Sequence, residues 1–118
     1  IYQTWPLMGS NFIPSDLSFE DLKNLINFEN HSLVQFYHRN LAYLISIYIF
    51  VLTFVIVKSE TKVSFTPIFL VNFFLIIQIF LGVTTLVSNL NIYLASAHQI
   101  TSVLLVLSLI NMYYNYIK

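Results

Sequence analysis

The sequence predicts an all-α membrane protein, with three transmembrane helices behind an N-terminal outer loop that carries a short amphipathic helix. Three observations predict it. Only 8% of the 118 residues are charged while 58% are hydrophobic, against roughly 25% charged in soluble domains. Three apolar runs, 33–57, 65–87 and 94–117, each reach the roughly 20 residues that cross about 30 Å of hydrocarbon. The links between them, 58–64 and 88–93, are short, so neighbouring runs must be antiparallel. Backbone polar groups in lipid have to be satisfied within the segment, so the runs are helices and not open strands.

Residues 1–32 read as the outer loop, with Asp16, Glu20, Asp21, Lys23 and Glu29, and with Pro6 and Pro14 as breaks. From Asp16 to Phe28 the apolar residues Phe19, Leu22, Leu25, Ile26 and Phe28 recur near helical spacing, and Ser18 with Asp21 supplies a capping signal. A short amphipathic helix is expected there, resting on the membrane surface or on the bundle. Residues 33–118 read as the three-helix part. The first span, Leu33 to Val57, is apolar apart from Gln35, His38, Arg39, Asn40 and scattered hydroxyls. The second, Phe65 to Val87, has Pro67 where a first helical turn tolerates it. The third runs from Leu94 to Ile117.

Lys58, Lys62 and Lys118 gather at one side of the bundle and Lys23 and Arg39 at the other. That bias places the 58–64 link and the C-terminus in the cytoplasm or matrix. Tyr113, Tyr114 and Tyr116 then form an inner aromatic belt, with Trp5 and Tyr2 outside. Net charge is zero, so no basic surface points to nucleic acid. The absence of cysteine removes disulfides, thiolate metal sites and thiol catalysis from this chain. Ile1 and the residues after it lack the basic start and apolar centre of a signal peptide. The chain is expected to be a piece of a longer protein or a processed product.

His38 and His98 carry the chemistry. Each lies a few residues inside the N-terminal end of its span, with one antiparallel span between them. The two outer spans therefore run the same way, and both imidazoles fall at one depth near the outer face. Ionisable residues within spans usually face the bundle interior and mark a functional site, or else pair across helices. Two imidazoles level with each other are what a haem iron takes from above and below. Ala95, Ser96 and Ala97 leave room beside His98, and Gly82 in the middle span lies at the same level. Gly82 either admits a flat macrocycle or serves close helix packing. Arg39, about 100° round the helix from His38, either pairs with a propionate of the macrocycle or anchors the headgroup region. Gln78, near mid-membrane, is expected to bond another helix, and Thr84 and Thr85 can bond across helices. His31 precedes the first span and is expected to be wet. Glu29 and Asn30 are the acid and amide placed to reach the outer mouth.

The segments Tyr2-Gln3-Thr4-Trp5-Pro6-Leu7-Met8-Gly9, Phe12-Ile13-Pro14, Glu29-Asn30, Val34-Gln35-Phe36-Tyr37-His38-Arg39 with Ala42-Tyr43, Gln78 with Leu81-Gly82, and Leu94-Ala95 with Ala97-His98-Gln99 resemble, in order and spacing, the C-terminal half of haem A synthase. Tyr37 departs from the smaller or polar residue, such as Asp or Asn, expected there. The resemblance implies an eight-span protein of two similar halves, of which this chain matches the outer loop and spans six to eight. It implies a haem b held by His38 and His98 as iron ligands. It also implies the oxidation of haem O to haem A by successive hydroxylations of a ring methyl. The substrate site and catalytic residues are then expected in the N-terminal half of the same enzyme. Further implied partners are membrane lipid and an electron donor such as a ferredoxin. The implied location is the bacterial plasma membrane or the mitochondrial inner membrane. The alternatives are a three-span haem b anchor of a respiratory complex and a purely structural membrane subunit.

Overall fold

The computed structural model of the chain describes residues 1–24, 26–59 and 63–118. Leu25, from the expected amphipathic helix, and Lys62, one of the charges used for orientation, lie outside the described residues. Among the described residues four helices follow in order: α1 (Phe19–Lys23), α2 (His31–Lys58), α3 (Phe65–Val87) and α4 (Ile92–Ile117). Among the described residues the only β-type pairing is an isolated bridge between Met8 and Asn11. At about 1.5 Å per residue, the 28, 23 and 26 residues of α2, α3 and α4 exceed the hydrocarbon thickness of a bilayer. All three are long and apolar enough to cross a membrane.

α1 is much shorter than the sequence predicts. Its start is as expected: the Ser18 hydroxyl accepts the Asp21 N–H, and the Asp21 carboxylate accepts the Ser18 N–H. Its end comes early, at Asn24. The asparagines at 27 and 30 compete for backbone bonds: the Asn27 side chain accepts the Glu29 N–H at 3.2 Å and the Asn30 side chain the Leu33 N–H at 3.2 Å. A five-residue helix has little intrinsic stability. Packing does not extend it, since Phe19, Ile26 and Phe28 are all exposed.

α2 opens on Asn30, whose side chain accepts the Leu33 N–H. α3 and α4 form a tight antiparallel hairpin joined by Ser88–Asn91. Asn89 (φ 60°) takes the left-handed conformation that asparagine tolerates. The Leu90 N–H then bonds the Thr85 carbonyl at 3.0 Å, closing α3 in a Schellman motif. Asn91 caps α4 by accepting from Tyr93 and Leu94. The hairpin register follows from this turn: Gly82 and His98 each lie eight residues from Leu90.

The two ends of the bundle differ. We call the end holding the N-terminal loop and the 88–91 turn the turn end, and the other the linker end. The core joins Ile49 and Ile56 of α2, Val71 and Leu75 of α3, and Leu105 and Met112 of α4. All six lie in the linker-end half of their helices. There the Asn72 amide donates to Thr53 at 3.0 Å, tying α3 to α2. α3 and α4 pack closely along their length, while α2 meets α3 at few places. A groove of about 490 Å³, lined by Tyr48, Leu52, Leu109 and Met112 among others, separates α2 from α4 near the linker end. Outward-facing Phe54, Phe69, Val103 and Ile110 are exposed, an arrangement suited to lipid as the surrounding medium.

Candidate functional site

His38 is the eighth residue of α2 and His98 the seventh of α4. The two helices are parallel, being the first and third passes of an up-down-up chain. At about 1.5 Å per residue each histidine lies about 10 Å in from the N-terminal end of its helix. Their ring centroids are 6.3 Å apart, with the planes inclined at 72°. His98 is half-buried against α3 and His38 is exposed.

The contacts of His98 fix its proton. Its Nδ1 lies 3.1 Å from the Gln78 main-chain carbonyl. A carbonyl only accepts, so Nδ1 carries the hydrogen and donates it. Nε2 therefore holds a lone pair, and the Gln78 side-chain amide donates to it at 3.3 Å. This tautomer is the one that presents Nε2 as a ligand.

Gly82 makes the seat possible. A helical side chain leans towards the N-terminus and covers the turn before it. The residue four after Gln78 would ordinarily shield the Gln78 carbonyl. At Gly82 a Cβ would stand 3.0 Å from His98 Cε1 and 3.5 Å from Nδ1. Of the two readings of Gly82, macrocycle access or close helix packing, the contacts are those of close packing, with the His98 ring of α4 laid against the glycine.

Three buried side-chain polar atoms lack a hydrogen-bond partner among the described residues: Tyr37 Oη, Gln78 Oε1 and Thr85 Oγ1. Tyr37 adjoins His38, Gln78 bonds His98, and Thr85 is three residues from Gly82. Unmet buried polar groups cost about 1–3 kcal/mol each, and these gather at the level of the histidine pair.

The other expected residues fall as follows. The Arg39 guanidinium turns to the N-terminal loop, donating to the carbonyls of Tyr2 (3.3 Å), Thr4 (2.7 Å), Pro6 (3.4 Å) and Leu7 (3.1 Å). Asn30 is spent on capping α2 and does not reach the mouth. Glu29 is exposed, and His31 is an exposed first residue of α2. The Thr84 hydroxyl bonds carbonyls of its own helix, Phe80 and Leu81, and not a neighbour. Gln78 does bond another helix, as expected. Its partner, His98, went unnamed in the sequence reading. The i, i+4 spacing of Gln78 and Gly82, set opposite His98 about the turn, was the available signal.

Chemically, the site offers two imidazoles across a gap. A metal–imidazole bond is about 2.0–2.1 Å, so two rings on one metal have centroids about 6 Å apart. The observed 6.3 Å suits that requirement. Among the described residues no group of three or more His, Cys, Asp or Glu side chains converges. Any metal held between the two imidazoles would therefore draw its remaining ligands from a bound group and not from these side chains.

Residues 1–110 match the family model COX15-CtaA, cytochrome oxidase assembly protein. The chain is 40% identical over 108 residues to a protein of Pelagibacter ubique named heme A synthase, with 92% of this chain and 32% of that protein covered. It is 42% identical over 105 residues to one of that name from Wolbachia pipientis, covering 89% and 28%. To one from Rickettsia bellii it is 36% identical over 121 residues, covering 100% and 34%. The chain thus spans about a third of the length of the relatives it matches. No solved structure matches it. With a family model matched over all but its last eight residues, the chain belongs to the COX15-CtaA family of cytochrome oxidase assembly proteins.

Proposed function

We propose that the chain is the C-terminal half of a haem A synthase and that it holds a haem b between α2 and α4, with His38 and His98 as the axial ligands. The observation that carries this is the imidazole pair on the first and third long helices, with ring centroids 6.3 Å apart and the His98 proton held on Nδ1. Held by these two imidazoles, the group would supply electron transfer and not oxygen binding. The chain's own residues do the rest. The Gln78 carbonyl and Gly82 orient His98, and α3 shields it from water. The expected contact of Arg39 with a propionate would compete with the four loop carbonyls it now holds.

On this reading the turn end lies outside the bacterial plasma membrane or the mitochondrial inner membrane. The whole enzyme would oxidise haem O to haem A with electrons from a donor such as a ferredoxin, and the reacting site would lie in its other half. The test is a visible spectrum with pigment extraction from the intact protein. Expected is a protohaem with a six-coordinate low-spin spectrum, which His38→Ala and His98→Ala each abolish. If both variants kept that spectrum, the ligand assignment would be wrong.

A further inference from the structure

α2 shares a buried core with α3 and α4 only in its linker-end half, yet it must present His38 in its turn-end half. What holds that half is the N-terminal loop. The Gln35 side chain accepts the Tyr2 N–H at 2.8 Å and donates to the Tyr2 carbonyl at 2.7 Å. One turn further on, Arg39 forks onto the carbonyls of Tyr2, Thr4, Pro6 and Leu7. The far side of the loop crosses to the hairpin, where the Gln3 amide donates to Asn89 at 2.5 Å. Below it Leu33 is 1% exposed and Met8 2%, and Phe12 meets Phe36 edge-on at 6.2 Å.

We propose that Gln35 and Arg39 are positioning residues for His38, acting through residues 2–7 as a strap that ties the turn end of α2 to the α3–α4 turn and so sets the gap between the histidine-bearing helices. A guanidinium suits this task because its planar fork offers five donors in fixed directions. A lysine has one compact charge on a flexible stem. The functional meaning rests on His38 being a ligand, but the geometry is measurable without any cofactor.

The experiment is a spin-label distance measurement on the intact protein. One label pair reports the turn end (Val34→Cys with Tyr93→Cys) and one the linker end (Val57→Cys with Ile117→Cys). Arg39→Gln is expected to lengthen and broaden the turn-end distribution and leave the linker-end distribution unchanged, with Arg39→Lys in between. Gln3→Ala, at an exposed position, is expected to move the turn-end distribution the same way by a smaller amount. It decides the matter if Arg39→Gln does not fold. An unchanged turn-end distribution in Gln3→Ala, or both pairs moving together in Arg39→Gln, would overturn the proposal. Loss of the strap effect with the haem spectrum's histidine dependence intact would leave the ligand reading standing, and the converse would leave the strap.

Discussion

His98 and His38 are held in opposite ways. His98 sits on a close-packed hairpin, its Nδ1 fixed by a main-chain carbonyl and its ring laid against a glycine. His38 stands exposed on a helix that packs on its neighbours mainly in its other half, steadied there by a loop. The His98 ring is seated by the hairpin alone, whereas the place of His38 depends on a less constrained helix.

The largest expected effect separates the two ligands. His98→Ala should lose most of its haem on purification. His38→Ala should retain haem as a five-coordinate, high-spin species on His98. The haem-to-protein ratio and the spin state read this directly, and equal haem loss in both would erase the asymmetry.

Gly82→Ala comes next. The added Cβ would crowd the His98 ring, so haem affinity should fall by about tenfold to a hundredfold, the range typical for partners that orient a ligand. Titration of the apoprotein with haem measures it, and an unaltered affinity would show that the glycine is mere packing.

Gln78→Leu should act more weakly. The carbonyl that fixes the tautomer belongs to the backbone and survives the substitution. Affinity should change by less than about tenfold, with the His98 ring still protonated at Nδ1 by nitrogen NMR. Loss of that tautomer would move the orienting role to the side chain.

The smallest effect concerns the loop. The hydroxyls of Ser32 (2.5 Å) and Tyr2 (2.6 Å) donate to the Asp16 carboxylate and hold its pKa below the ordinary 3.8. A depressed folded-state pKa stabilises at neutral pH, and that contribution is lost as pH falls below 3.8 through the lowered value. Amide protection of residues 2–9 should therefore be flat from neutral pH down to about pH 5 and decline in strong acid. Asp16→Asn should remove that step. Asp21, also depressed by bonds from Ser18, titrates in the same range and would remain.

The three long helices were legible because lipid enforces them: length, apolarity and the backbone's need for internal hydrogen bonds leave no alternative. The histidine pair was legible from topology, since an odd number of crossings fixes relative depth. The early end of α1 was not, because the asparagine side chains at 27 and 30 outcompete a weak amphipathic pattern. Nor was the loop visible to periodicity. Arg39 looked like an anion or headgroup partner, and only the fold brings four carbonyls from residues 32 to 37 positions earlier within its reach.

The most direct test of the shared-iron claim is low-temperature electron paramagnetic resonance of the oxidised intact protein, with exogenous imidazole added to a His38→Gly variant. A low-spin bis-imidazole signal should be present in the parent, absent from the variant and restored by imidazole. A variant that keeps the signal without imidazole would contradict His38 as a ligand.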